Sequence, residues 1–277
     1  MKKQIDNYEV TGVVGNPQES RVFLVEQLDT RKKFALKALP MDFFDSEREF
    51  RAFGLTVDKV AQFKSPHLVA HYKLFGKFTE SFLLLEYVEG MCLKEYIDGP
   101  QRPFPELLSV AIQILKAIQY LHHFKVVHQN LKSTNVLLDS ELNVKVTDFF
   151  FSKLFNRWRK RRGFTSVESV RYLSPEQIKE KSVGDRSDIY GLGVILFYLF
   201  TKVMPIRGNS VPEIMKKHIK MTISEIPTTI NPEVPEEISR IVMNMLKKKP
   251  RKRLVSLSEL ILDLSRMEQG QKKRTSI

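Results

Sequence analysis

The chain has 277 residues, 42% hydrophobic and 28% charged, an ordinary balance for a globular protein of one large or two small domains with a real core. Its single cysteine, Cys92, excludes an intramolecular disulfide and suggests no cysteine zinc site, which favours a reducing, cytoplasmic compartment. The formal net charge of +13 attracts polyanions, whether nucleic acid, anionic lipid or acidic and phosphorylated proteins, with a solvated lysine-rich surface as the plainer source. In chain order, the N-terminus is basic but lacks the apolar stretch of a signal peptide. Alternating apolar and polar residues then predict strands over Tyr8–Val14, Arg21–Gln27 and Lys33–Leu39. A charged stretch of helical period runs from about Asp45 to Phe63 and closes at Ser65-Pro66. Two more strands are expected over Leu68–Phe75 and Ser81–Tyr87. The rest reads as helical, with strong segments at Pro105–Phe124, Asp185–Thr201, Val211–Ile219, Pro235–Leu246 and Ser256–Met267. The most apolar run, Ile189–Phe200, falls short of the roughly 20 residues that cross a bilayer, so a buried helix is expected and no transmembrane segment. A β-rich start before a helical bulk predicts an α+β protein of two unequal lobes with a cleft between them.

Several short motifs stand in a telling order. Phe34-Ala35-Leu36-Lys37 resembles the VAIK strand of protein kinases, and His128-Gln129-Asn130-Leu131-Lys132-Ser133-Thr134-Asn135 resembles their catalytic loop, HRDLKxxN. Asp148-Phe149-Phe150 stands where DFG belongs, and Ser174-Pro175-Glu176 where APE belongs. Ser187 to Val194 is similar to the family's buried helix, and Pro250-Arg251-Lys252-Arg253 to its late arginine motif. The resemblance covers roughly Tyr8 to Met267 and is nearest to bacterial serine/threonine kinases. It implies one bilobal domain, with an N-lobe at about 1–88, a C-lobe at about 89–268 and a short basic tail at 269–277.

Phosphoryl transfer needs a lysine on the phosphates, magnesium ligands, and a carboxylate to orient the substrate hydroxyl. By resemblance Lys37 would contact the nucleotide phosphates, Asn135 and Asp148 would hold Mg2+, and Lys132 would sit beside the transferred phosphate. Leu85 matches the gatekeeper, and Glu86-Tyr87-Val88 the hinge that pairs with adenine. Val22, Ala35 and Leu137 match the apolar residues that sandwich the adenine ring, so ATP with Mg2+ is the implied cofactor.

Five parts depart from the pattern. Asn130 stands where the catalytic aspartate belongs, and an amide neither accepts the proton nor carries the charge that orients the hydroxyl. The glycine-rich loop is reduced to Gly12-Val13-Val14-Gly15-Asn16-Pro17, where Pro17 removes a backbone donor and a hairpin turn is the expected role. Counting back from Pro66, the lysine-pairing glutamate becomes Thr56, and Glu47 or Glu49 would pair with Lys37 only after a register shift. Phe150 replaces the DFG glycine and Phe151 follows, which should favour one packed state. Gln129 replaces the arginine that grips a phosphorylated activation loop, so phosphate on Thr165, Ser166 or Ser169 would not act in the usual way. In contrast, Glu176 and Arg253 match a buried ion pair, and Asp188 the support of the catalytic loop.

The expectation is therefore a pseudokinase that acts as a scaffold or allosteric regulator and can still bind ATP, with a protein partner of acidic or phosphorylated character. The basic run from Arg157 to Arg162 around Trp158 is its candidate surface, with a solvated loop as the plainer reading. The alternative is a weakly active serine/threonine kinase. Nucleic acid is disfavoured, because the chain has no recognised motif for it. The sequence leaves the oligomeric state open.

Overall fold

A computed structural model of the chain describes residues 4–15, 21–150, 154, 157, 161, 163, 166–181, 183–253 and 256–275. Period-two alternation in the first ninety residues builds an antiparallel six-stranded sheet: β1 (Gln4–Ile5), β2 (Tyr8–Val14), β3 (Val22–Gln27), β4 (Lys33–Ala38), β5 (His71–Lys77) and β6 (Glu80–Glu86), in spatial order β1-β2-β3-β4-β6-β5. Register pairs Val22 with Lys37 and Ala35 with Leu85. Because side chains alternate along β4, Phe34 and Leu36 enter a core on one face with Val25, Phe82 and Leu84. Ala35 packs on the other face with Phe43, Phe53, Val57 and Leu85.

That second face is covered by α1 (Glu47–Val60), whose buried residues Phe53, Val57 and Val60 fall on one helical stripe. Ser46 caps it, its side chain accepting from the Glu49 amide at 3.3 Å, with Glu47 and Glu49 in the first turn. Strand β5 begins at His71 rather than at the expected Leu68. Leu68 and Val69 bond elsewhere: the Val69 amide donates to the Val146 carbonyl, and the Val146 amide to the His67 carbonyl, both at 2.9 Å.

The helical lobe is organised by α3 (Phe104–His123), which follows the short α2 (Leu93–Asp98). Beyond the short α4 (Pro175–Ile178) comes α5 (Asp185–Thr201), in which every residue from Ser187 to Thr201 is buried. A helix apolar on all sides belongs in a core, and here Leu192, Val194, Ile195 and Phe197 join Leu108, Ile114 and Leu115 of α3 in the largest cluster. Then come α6 (Val211–Lys220), α7 (Pro227–Ile230), α8 (Glu236–Met245) and α9 (Leu257–Thr275), the last packed against α3 and extending past the expected end at Met267. Among the described residues, no helix is long and apolar enough to cross a membrane.

A second, three-stranded sheet escapes the sequence reading. It consists of β7 (Gly90–Cys92), β8 (Val136–Asp139) and β9 (Val144–Val146), strands of three or four residues on which no periodicity can register. Its hairpin delivers Asn135 and Asp148 on either side of the β8–β9 pair. The protein is thus bilobal, with a curled sheet lobe, a helical lobe and the expected motif residues between them.

Candidate functional site

Lys37 projects from β4 on the α1 face, and its Nζ lies 2.5 Å from Asp148 Oδ2 with both side chains buried. Burial alone would raise the Asp148 carboxyl. The charge and hydrogen bond of Lys37, helped by the charge of Lys132, outweigh it and hold the group below the usual carboxylate range. Asp148 adopts φ of +65°, a left-handed conformation that aspartate tolerates better than most residues.

The loop from His128 to Asn135 is held from below by one carboxylate. Asp188 accepts the amides of His128 and Gln129, each at 2.8 Å, and meets His122 Nε2 at 2.8 Å. Gln177 of α4 donates to the Gln129 carbonyl at 2.8 Å. Gln129 itself has φ of +58°, so the loop is a strained backbone fixed by side chains from α4 and α5. Asn135 donates through Nδ2 to the Asn130 carbonyl at 2.9 Å, and its own carbonyl accepts the Thr147 amide at 3.0 Å. Loop and DFG-like segment are thereby bonded together. Asn130 is buried at the base position.

The adenine-type residues also converge. Ala35 and Leu85 are buried members of one apolar cluster against which Val22, Val88 and Leu137 pack. The Glu86 side chain turns away to accept the Ala70 amide at 3.0 Å and Lys145 Nζ at 2.9 Å, and its backbone amide donates to the Ala70 carbonyl at 2.9 Å, so neither is left to serve a hinge. The structure therefore brings together Val22, Ala35, Lys37, Leu85, Val88 and Leu137 on one side, and Asn130, Lys132, Asn135 and Asp148 on the other.

The acidic end of α1 does something the sequence reading did not anticipate. Glu49 receives both terminal nitrogens of Arg157 at 2.5 Å, and Arg157 Nε lies 3.2 Å from Asp45. Arg161 reaches the Asp45 carboxylate and donates to the Asp42 carbonyl at 2.9 Å. The Arg157 hydrogen bonds keep the Glu49 carboxyl below its ordinary value despite partial burial. Glu47 pairs with Arg51 at 3.3 Å. The register shift that would bring a glutamate to Lys37 does not occur, because these local arginines hold the acidic first turn. Thr56 stays a helical residue whose hydroxyl returns to the Ala52 carbonyl at 3.1 Å. Two of the basic-run arginines are thus held in ion pairs with the start of α1 while their side chains stay partly exposed. The complementary runs Asp45–Glu49 and Arg157–Arg162 were the available signal.

Phe150 stacks on Phe53 of α1 with ring centroids 5.5 Å apart, and its edge meets His71 at 4.7 Å. Its φ lies outside the left-handed region, so the glycine it replaces is not needed in this arrangement. Phe149 is fully buried beside His71 and Phe63. The loop positions Asn16–Ser20, and Phe151, Trp158, Arg162 and Thr165, lie outside the described residues; β2 and β3 pair antiparallel up to Val14 and Val22 on either side of that loop.

Further out, Glu176 and Arg253 form the expected buried pair, at 2.6 and 2.8 Å, with the Ser187 hydroxyl donating to Glu176 at 2.7 Å. Burial pushes the Glu176 carboxyl up, and the bonds from Arg253 and Ser187 bring it below its ordinary value.

The family model of the protein kinase domain matches residues 8–262. The chain is 32% identical to the serine/threonine-protein kinase PrkC of Bacillus subtilis, covering 95% of this chain and 41% of that protein. It is 30% identical to a protein of Lactococcus lactis named a probable serine/threonine-protein kinase PknB (94% and 42%), and 26% identical to PknB of Mycobacterium leprae (96% and 44%). The chain therefore spans about two-fifths of the length of these relatives. With fold, motif order and family match in agreement, this chain belongs to the protein kinase superfamily and is of the bacterial serine/threonine type.

Proposed function

We propose that the chain is a regulatory pseudokinase that takes up ATP and Mg2+ and acts on a protein partner of acidic or phosphorylated character, as scaffold or allosteric regulator, in the cytoplasm. The observation that carries this is Asn130, buried at the base position and bonded through its carbonyl to Asn135. Positioned general bases contribute about 10²–10⁴ in rate, and an amide supplies none of that.

The nucleotide reading rests on the donor set. Asn135 commits its side-chain nitrogen to Asn130, which leaves its side-chain oxygen Oδ1 as the acceptor, and Asp148 offers a carboxylate; both are hard oxygen ligands suited to Mg2+. Bound Mg2+ would neutralise phosphate charge. Lys37 balances Asp148 and sits where it can shift to a phosphate, Lys132 adds positive charge nearby, and the Ala35–Leu85 cluster excludes water from an adenine ring.

A weakly active serine/threonine kinase is the second reading, favoured by the joint retention of Lys37, Lys132, Asn135 and Asp148 and by the names of the relatives. Thermal melting with ATP, with and without Mg2+, tests the nucleotide site in the wild type and Lys37→Ala. Ligand at 100 times its dissociation constant adds about 2.7 kcal/mol of stability. A magnesium-dependent rise in Tm that vanishes in Lys37→Ala is expected. No rise in any condition removes the nucleotide from the proposal. The two readings separate on the wild type, which should show phosphotransfer at background; wild-type activity that rises further in Asn130→Asp would establish the weak kinase instead.

A further inference from the structure

The segment from Lys247 to Lys252 reads Lys-Lys-Lys-Pro-Arg-Lys, five cations in six residues. It follows the C-terminus of α8 and passes through a tight 3-10 turn at Pro250–Lys252. Its backbone is fixed from beneath. Arg253 donates to the Lys247 and Lys248 carbonyls at 2.7 and 3.1 Å, and Arg186 of α5 donates to the Pro250 and Arg253 carbonyls at 3.4 and 2.9 Å. With these carbonyls engaged, Lys247, Lys249, Arg251 and Lys252 are left exposed. A turn already ordered in this way presents its charges with little further loss of backbone entropy on binding.

The charge of the turn is uncompensated. None of those four residues has an ion pair among the described residues, whereas Arg157 and Arg161 of the other basic run are taken by Asp45 and Glu49. The nearest acids along the chain, Glu237 and Glu259, sit in the first turns of α8 and α9. Beside the four, Lys248 donates to the Tyr190 hydroxyl at 3.4 Å, and burial together with the charge of Arg253 pushes its amine down to about 8. The pull of a helix C-terminus on cations accounts for Lys247 alone, because it fades within the last turn.

A basic surface attracts lipid, nucleic acid or acidic protein, and the chemistry of the turn separates them. No large apolar side chain is exposed among the described residues from Arg240 to Arg253, so nothing is offered to a lipid interior. That stretch has no aromatic residue and Tyr190 is fully buried, so no ring is offered to a nucleic-acid base. A second copy of this chain carries the same charge of +13 and is repelled. A carboxylate-rich protein segment remains, and lysines meet it as flexible point charges.

We propose that the turn at 247–252 docks an acidic segment of a protein partner, with successive Asp and Glu side chains against Lys247, Lys249, Arg251 and Lys252. This rests on the reading of an acidic partner above and gives that partner this turn as its surface.

The probe is fluorescein-labelled octaglutamate, followed by anisotropy against the whole chain, with octaglutamine as the uncharged control. Octaglutamate should bind and octaglutamine should not. Combined Lys247→Gln, Lys249→Gln, Arg251→Gln and Lys252→Gln should weaken binding at least tenfold. A variant of the same net charge, with Lys33→Gln, Lys59→Gln, Lys77→Gln and Lys125→Gln at exposed positions elsewhere, should lose less than threefold. The pair Lys249→Gln and Lys252→Gln should lose at least threefold, and decides the matter if the fourfold variant does not fold. Equal losses in the two fourfold variants would overturn this surface and leave the acidic partner in place, whereas no binding of octaglutamate to the wild type would remove both. Tighter binding to phosphatidylserine vesicles or to an RNA octamer than to octaglutamate would also overturn the proposal.

Discussion

Replacing Glu176 with alanine leaves the Arg253 guanidinium in place with no carboxylate. Arg253 is fully buried, and it keeps three carbonyl oxygens, Lys247 at 2.7 Å, Arg186 at 2.7 Å and Lys248 at 3.1 Å, and the face of the Tyr190 ring at 4.9 Å. Breaking a buried pair by deleting one partner costs about 3–5 kcal/mol, and the three carbonyls place this site toward the lower part of that range. At about 2.1 cal/mol/K per residue, a chain of this length has an unfolding entropy near 0.6 kcal/mol/K, so a loss of about 3–4 kcal/mol corresponds to a Tm lower by about 5–7 °C. The assay is thermal melting by circular dichroism at pH 7 and again at decreasing pH. The folded Glu176 carboxyl lies below its ordinary value, so its stabilisation is full above the unfolded pKa and disappears as pH falls through the folded one; wild type and variant should converge in acid. A double variant with Arg253→Met should recover part of the loss, since two apolar side chains leave no orphaned charge. A Tm within 1 °C of wild type for Glu176→Ala at pH 7 refutes the reasoning.

Two buried histidines predict a further pH effect. His71 and His218 are held neutral by burial, at about 4 and about 3, so stability should fall as pH drops below about 6.5, by up to about 1.4 kcal/mol per pH unit for each. Denaturant unfolding at pH 7 and 5 checks this, and His218→Gln should flatten the dependence. Lys248, pushed down to about 8 by burial and by Arg253, has the same sign in a more alkaline window: it costs stability below pH 8, and the cost is relieved as pH rises toward 10.5, an effect Lys248→Met should remove. Arg157→Ala should change global stability by less than about 1 kcal/mol, because the Glu49 pair is partly exposed and screened, yet it should speed protease cleavage in the segment around residue 157. Unchanged cleavage would show that the pair does not restrain that segment.

The long elements were legible because their signals are redundant. Strands β2, β3 and β4 alternate over six or seven residues, and α3 and α5 carry long apolar patterns that end near polar breaks. Lys37, Asn135 and Asp148 could be named because the motif order fixes which residues the fold must bring together. The pairing of Lys37 could not, since it depends on how α1 is held. That depends on Arg157 and Arg161, more than a hundred residues away in the chain. Likewise the start of β5 was misplaced because Leu68 and Val69 have ideal strand character, but their backbone partner lies in β9. Local propensity marks what a segment can be, and only tertiary contact decides which partner it takes.

The anchoring of α1 has a mechanical consequence. Its first turn is tied by Glu49 to Arg157, and the turn after its last residue is tied by the Lys64 amide, which donates to the Tyr120 hydroxyl at 2.9 Å. Both tethers lead outside the sheet that the helix covers: one to the segment after Asp148, the other to α3. The helix is thus bonded to both lobes, through Phe53 and Val57 to the sheet and through Glu49 and the Lys64 amide to the helical side. Lys37 rides on the sheet while Asp148 stays with the helical lobe, which makes the length of the bond between them a direct gauge of how far the two lobes have parted.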